Sequence, residues 1–148
     1  MGILVTDQGF ARDDWQPAIL TFDQLRLSDT GGHAVSLAPD FDLGHLVPYL
    51  NQVALIRVEF AHFADGRGFS LAPRLRALGF AGRLRAAGHI LADQYRNARR
   101  AGFDEVEIDP GLAARQPEPQ WRVYGDWRKG DYRLHLRGTA GQEPGAGA

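Results

Sequence analysis

Residues 65–70, which read D-G-R-G-F-S, carry the side chains best suited to chemistry. Arg67 lies between Gly66 and Gly68, and glycine adopts backbone angles that other residues avoid. Ser70 is predicted to begin a helix, whose free N–H groups favour an anion. The Arg67 guanidinium would add a forked, permanently charged contact to a carboxylate, a phosphate or a sulfur oxyanion. We therefore predict an anion-binding loop, although its spacing matches neither the phosphate loop nor G-x-G-x-x-G.

Proton transfer is the second chemistry that the sequence allows. His89 and Asp93 are four residues apart, so they would share a helix face if the helix began one residue early. Histidine titrates near neutral pH, which suits general acid–base work. His89 and Asp93 are therefore candidate catalytic residues, and Asp65 of the predicted anion-binding loop is a third. In the competing interpretation, His89 only packs at a helix start, and Arg67 pairs with Asp65 or Asp93 inside a tight turn.

Other site chemistries find little support in the sequence. The chain has no cysteine, which excludes disulfides, thiolate metal sites and iron–sulfur ligation through thiolates. No serine stands in a G-x-S-x-G context, and no dinucleotide fingerprint is present. We therefore predict no cofactor. We also predict no metal, since the histidines are scattered without the spacing of metal ligands: His33, His45, His62, His89 and His135.

The elements that would position these residues follow from hydrophobic periodicity and from the cap and turn signals. Strands are predicted over residues 3–5, 18–22, 53–60, 83–87 and 103–108, and helices over residues 42–50, 71–78 and 90–101, with Asp42 as the cap of the first helix. A final hairpin is predicted to pair residues 121–124 with residues 132–137. Ligands bind beyond the carboxyl ends of parallel strands. One rim is therefore expected to carry Asp65, Arg67, His89, Asp93 and Asp109.

The order strand, helix, strand, helix, strand predicts an α/β fold, a single small domain with a mainly parallel sheet. Residues 1–36 would add irregular strands and turns that pack on the core, and residues 37–109 would form that core. Residues 110–137 would form a linker and the hairpin, and residues 138–148 a disordered tail.

Length and charge limit the classes of protein. The 148 residues suffice for one domain, and a net charge of -1 does not favour a nucleic-acid binder. The charge is uneven, because eight arginines stand against Asp93 between residues 66 and 102: Arg67, Arg74, Arg76, Arg83, Arg85, Arg96, Arg99 and Arg100. No apolar run reaches the length of a membrane span, and residues 1–10 lack the features of a secretory signal. We therefore expect a cytoplasmic protein without a membrane partner.

Residues 37–108 resemble the bacterial family called domain of unknown function 934. The resemblance rests on four segments in order: D-G-R-G-[FY]-S at residues 65–70, L-R at residues 75–76, G-x-[IVL]-L-x-D-Q at residues 88–94 and R-x-G-F-D at residues 100–104. These segments add Arg76, Gln94 and Arg100 to Gly66, Arg67, Gly68 and Ser70 as candidate residues for binding an anion or a partner.

The resemblance implies a link to sulfate assimilation, because members of the family are usually encoded beside assimilatory sulfite reductase. A chain without cysteine cannot hold the iron–sulfur cluster of that reductase through thiolates. The leading hypothesis is therefore an accessory protein that docks on sulfite reductase through a cationic rim, or binds a sulfur oxyanion there. A small enzyme with an Asp/His acid–base pair and an arginine clamp is the alternative, and a scaffold whose motifs only hold loops together is a third. A homo-oligomer also remains open.

Overall fold

The computed structural model describes residues 2–61 and 67–128 of the chain. These residues form seven strands and five α-helices: β1 (Ile3–Thr6), β2 (Gly9–Arg12), β3 (Ile19–Leu20), α1 (Phe22–Arg26), β4 (His33–Leu37), β5 (Val53–Phe60), α2 (Arg67–Ala77), β6 (Arg83–Gly88), α3 (Tyr95–Ala101), β7 (Glu105–Ile108), α4 (Pro110–Arg115) and α5 (Glu118–Arg122). Three 3₁₀ turns span Leu43–His45, Val47–Gln52 and Ala92–Gln94. No helix within these ranges is long and apolar enough to cross a membrane. The predicted α/β class with a mainly parallel sheet is confirmed.

All seven strands form one sheet in the order β2-β1-β7-β6-β5-β4-β3. Strands β3 to β7 are parallel and adjacent in chain order, whereas β1 pairs antiparallel with both β2 and β7. The crossovers between the parallel strands therefore all step in the same direction. Because such crossovers are right-handed, their helices gather on one face of the sheet.

The hydrophobic core lies between that face and the helices. Alternate residues of the central strands, such as Ile56, Leu84 and Val106, pack in one cluster with Leu71 of α2 and Tyr95 of α3. The intervening strand residues point to the second face, where charged side chains lie beside the buried Leu55 and Ala87. The parallel sheet therefore has one helical layer and one ionic face.

Several predicted bounds need correction. Residues 42–50 form two 3₁₀ turns in place of one helix, although Asp42 caps the first of them as expected. The predicted strand over residues 18–22 is only Ile19–Leu20, because Thr21 forms a capping box that begins α1. Strands β2 and β4 were not predicted. The predicted first strand of the hairpin, residues 121–124, is wrong because Trp121 lies in α5, and its second strand lies outside the described residues.

Candidate functional site

The carboxyl edge of the parallel sheet gathers polar side chains from four successive connections. Asp40 follows β4, Arg67 begins α2 after β5, His89 follows β6, and Asp109 follows β7. Arg67, His89 and Asp109 were all predicted to lie at this edge. Asp65 and Gly66 fall outside the described residues, so their part in the site stays a prediction.

Two glycines bring the backbone close together at this edge. Gly68 lies inside α2 without a positive φ, so the unusual backbone angle predicted for it is wrong. Its role is steric, because a Cβ there would overlap the Phe60 ring. Gly88 has a φ of 113°, and a Cβ at Gly88 would overlap the Phe60 carbonyl oxygen. The first turn of α2 and the end of β6 therefore pack directly against the end of β5.

The Arg67 guanidinium lies within ion-pair distance of a carboxylate that the sequence analysis did not consider. Its Nη1 lies 3.8 Å from Asp40 Oδ2, and both side chains are about two thirds exposed. Ser70 does not cap the helix as predicted, because α2 already begins at Arg67. The Ser70 hydroxyl instead donates to the Arg67 carbonyl oxygen at 2.8 Å.

His89 and Asp93 do not share a helix face, because the 3₁₀ turn begins at Ala92 and His89 lies before it. The two side chains line different cavities: His89 lies at the carboxyl ends of β6 and β7, whereas Asp93 lies beside α5 with Gln116. This placement removes the geometric reason for pairing them. A catalytic role for either residue stays a prediction.

The cavity beside His89 has a volume of about 200 Å³ and is lined by Arg57, Glu107 and Asp109. Arg57 donates to both carboxylate oxygens of Glu107, at 3.1 and 3.0 Å. Burial alone would raise the pKa of Glu107, but hydrogen bonds and charge from Arg57 and Arg85 hold it below its ordinary value. Glu107 is therefore ionised at neutral pH and neutralises Arg57. With Asp109 also present, the cavity does not suit an anionic ligand.

The remaining motif residues have contacts within the chain. Arg76 lies at the amino edge of the sheet, where it donates to the carbonyl oxygens of Phe80, Gly82 and Gly102 and to Asp104. Gln94 caps its own 3₁₀ turn by accepting the backbone N–H of Leu91 at 2.8 Å. Arg100 lies exposed in the last turn of α3.

The second face of the sheet carries a network that we call the ion-pair ladder: Asp13, Asp14, Arg57, Arg83, Arg85, Glu105 and Glu107. The segment between β2 and β3 joins opposite edges of the sheet, so it must cross this face, and it supplies Asp13 and Asp14. Arg85 is fully buried and contacts three carboxylates. Burial opposes the charge of Arg85, but these partners outweigh burial and raise its pKa.

A separate cluster holds the β1–β2 turn. Asp7 accepts hydrogen bonds from the Tyr95 hydroxyl at 2.5 Å, from Arg99 at 3.1 Å and from the Trp127 indole at 3.3 Å. The Arg99 guanidinium also lies 4.6 Å from the centroid of the Trp127 ring, within cation–π distance. Burial would raise the pKa of Asp7, but these donors outweigh it and lower that pKa. The cluster ties α3 and the segment after α5 to the first hairpin.

These contacts divide the arginines of the cationic middle into two groups. Arg76, Arg83, Arg85 and Arg99 are occupied by carboxylates of the chain itself. The other four lie on α2 and α3, spaced seven and four residues apart on their helices, and we call them the basic face: Arg67, Arg74, Arg96 and Arg100. Arg67, Arg74 and Arg100 are exposed, whereas Arg96 is half-buried and its guanidinium lies 5.3 Å from the centroid of the Tyr124 ring. Arg67 lies 3.8 Å from Asp40, and Arg96 lies 3.9 Å from Asp126; both of these carboxylates are exposed.

Within the described ranges, no group of three or more His, Asp or Glu side chains is arranged to hold a metal ion. Fold and site together define a small α/β domain whose arginines serve both internal pairing and the basic face. No curated protein and no solved structure matches the chain. A family model matches residues 34–131, more than half of the chain, and carries the description "Bacterial protein of unknown function (DUF934)". The chain belongs to this family, and the match extends further than the residues 37–108 on which the resemblance was based.

Sequence reasoning missed Asp40, the Asp7 cluster and the ion-pair ladder. Asp40 was missed because β4 was not predicted, so nothing placed residue 40 beside the start of α2. The ladder did have a signal. Arg83 and Arg85 stand two residues apart in β6, as Glu105 and Glu107 do in β7, and this spacing puts each pair on one face of its strand.

Proposed function

We propose that this protein is an accessory protein of assimilatory sulfite reduction that docks on sulfite reductase through the basic face. The supporting observation is the composition of the helical layer: α2 and α3 carry six arginines and no acidic residue. Arg76 and Arg99 are held by carboxylates of the chain, whereas Arg67, Arg74 and Arg100 are exposed, where an acidic surface can reach them. The link to sulfite reduction comes from the family resemblance.

Charge distribution supports docking more than catalysis. Arginine presents several donors in a fixed fork and is over-represented where charged surfaces are recognised. Charges at the rim of an interface mainly raise the rate of association and fix the register of the complex. Six carboxylates are held by arginines of the same chain, so they do not cancel the basic face: Asp7, Asp13, Asp14, Asp104, Glu105 and Glu107. The same proposal places the chain in the cytoplasm with the reductase.

The alternative, a small enzyme acting on an anionic substrate, has weaker support in the described residues. His89 and Asp93 line different cavities, and the cavity beside His89 is acidic. Binding of a sulfur oxyanion near Arg67 is a variant of the docking proposal, because the same guanidinium would serve both. Calorimetric titration with sulfite separates these two uses of Arg67.

Co-purification tests the proposal directly. The full chain, tagged and expressed in the bacterium that encodes it, should recover sulfite reductase at low and moderate salt. Arg67→Ala combined with Arg100→Ala should reduce the amount of reductase recovered, since the two substitutions remove two positive charges from the basic face. Arg115→Ala removes an exposed arginine of α4 and should leave recovery unchanged. Clean absence of the reductase at both salt concentrations would contradict the proposal.

A further inference from the structure

An open groove runs between the 3₁₀ turns of residues 43–52 and the C-terminal half of α2. Two cavities of about 350 Å³ each form it, and Leu78 lines both of them. We call it the helix groove, and the lining residues that matter for its chemistry are Leu43, Val47, Val53, Arg74, Leu78 and Phe80. The groove lies apart from the carboxyl edge of the sheet, where His89 and Asp109 are found.

Apolar side chains are exposed at this groove. Val47 and Leu78 are each 46% exposed, and they are two of the four large hydrophobic side chains that are exposed in the described part of the chain. Leu43, Val53 and Phe80 are buried and belong to the hydrophobic core, so the floor of the groove is continuous with the core. Exposed apolar residues that cluster around a cavity mark a surface for binding rather than scattered surface variation.

The charged side chains that line the groove indicate the charge of the partner that it can bind. Arg74 lines the cavity that Leu43 and Val47 also line, and it forms no ion pair with any described residue. None of the lining residues is acidic, and α2 carries no acidic residue. Asp42, the carboxylate closest in sequence to the 3₁₀ wall, already accepts the Gly44 N–H at 3.0 Å and lies 3.7 Å from His45. The groove therefore offers apolar surface and one positive charge.

We propose that the helix groove docks an acidic segment of a partner protein. Two or more aliphatic or aromatic side chains of that segment enter the cavities on either side of Leu78, and a carboxylate meets Arg74. Apolar anchors supply the affinity of such complexes, whereas the charge pair fixes orientation and excludes basic segments. The inference goes beyond the proposed function, because it holds whichever protein supplies the segment.

A second copy of this chain fits the groove less well than an acidic segment. A two-fold interface places the same patch on both subunits, so the patch must complement itself. This patch has an arginine and no carboxylate to meet the arginine of its mate. Sedimentation of the purified chain tests this alternative, because it shows whether the chain forms a dimer.

Selection from a random 12-residue peptide library on the immobilised full chain identifies the preferred segment without a known partner. The enriched peptides should combine aspartate or glutamate with leucine, isoleucine or phenylalanine. A synthetic copy of the best peptide, titrated by fluorescence anisotropy, should bind Leu78→Asp and Arg74→Glu at least about tenfold more weakly than the wild type, since each change removes a main contact. Replacing the acids of the peptide by their amides should weaken binding to the wild type but not to Arg74→Glu.

Leu27→Asp is the matched control, because Leu27 is 85% exposed and does not line the groove. Both leucine variants change an exposed side chain, so each should melt within a few degrees of the wild type, which circular dichroism checks. Lack of enrichment, enrichment of basic peptides, or equal binding to Leu78→Asp would overturn the proposal. A dimer that Leu78→Asp dissociates would also overturn it by showing that a second copy fills the groove. Arg74 also belongs to the basic face, but Arg67→Ala with Arg100→Ala tests reductase docking separately, because neither residue lines the groove.

Discussion

Arg85 is the centre of the ion-pair ladder, and its replacement by methionine tests whether the ladder stabilises the second face of the sheet. The Arg85 side chain is fully buried and donates to Glu105 at 2.8 Å, Glu107 at 3.0 Å and Asp13 at 3.1 Å. Methionine keeps much of the packing of the stem but removes every donor. Two of the carboxylates that lose a partner are themselves largely buried, with side chains 9% and 14% exposed.

The expected loss of stability in Arg85→Met depends on the ion pairs that the buried carboxylates keep. Removing one partner of a buried charge pair costs about 3–5 kcal/mol, because the other charge stays buried. Glu105 keeps its contact with Arg83, and Glu107 keeps its contact with Arg57. The loss should therefore lie at the lower end, about 3 kcal/mol of the free energy of unfolding. In urea this shifts the midpoint down by about 1–3 M.

The loss in the free energy of unfolding caused by Arg85→Met should also depend on pH. The pKa values of Glu107 and Asp13 are lower in the folded chain than their ordinary values of 4.5 and 3.8. A depressed carboxyl pKa adds stability above the ordinary pKa, and this stability disappears as pH falls through the folded pKa. The wild type should therefore lose more stability than Arg85→Met below about pH 4.5, so the two chains converge.

Urea denaturation at pH 7 and at pH 3, followed by circular dichroism, measures both effects. Arg115→Met serves as the control, because Arg115 is exposed and outside the ladder, and it should change stability by no more than about 0.5 kcal/mol. The reasoning fails if Arg85→Met costs less than about 1 kcal/mol at pH 7, or if its cost is the same at both pH values.

Two further changes test the packing at the sheet edges. Gly68→Ala should destabilise the fold by about 1–3 kcal/mol, because the new methyl group overlaps the Phe60 ring, and Phe60→Leu in the same chain should restore part of the loss. Thermal denaturation measures this, and an unchanged midpoint would show that the contact is not tight. Asp7→Asn should cost about 1.5–3 kcal/mol at pH 7, since it removes the charge-assisted bonds from Arg99. Because the pKa of Asp7 is lowered in the folded state, this difference should shrink as pH falls below about 3.8, and a constant difference in urea titrations would contradict the assignment.

The central strands were predictable because their residues carry strong local signals. Val53–Phe60 is rich in β-branched and aromatic residues, and Gly102, with a φ of 119°, ends α3 as its position indicates. Trp121 misled the prediction, since aromatic residues favour strands. Pro119 in the first turn and Glu118 beside it favour the start of a helix instead.

The candidate site was less predictable because its contacts are distant in the chain. Placing Arg67 and His89 at one edge required only the alternation of strands and helices. The pairing of Arg67 with Asp40 required the neighbour of β5 in the sheet, which local patterns do not reveal. The partners of Arg85 come from β7 and from the segment after β2, so the ladder depends on strand order as well.

The affinity of the purified full chain for purified sulfite reductase, measured across a series of salt concentrations, tests the proposed docking most directly. Contacts between exposed charges weaken with ionic strength, so the dissociation constant should rise steadily with salt. Arg67→Ala with Arg100→Ala should weaken binding by roughly 3- to 30-fold at low salt and should flatten the salt dependence, whereas Arg115→Ala should do neither. Binding that is absent at low salt, or that is insensitive both to salt and to these substitutions, would contradict the account.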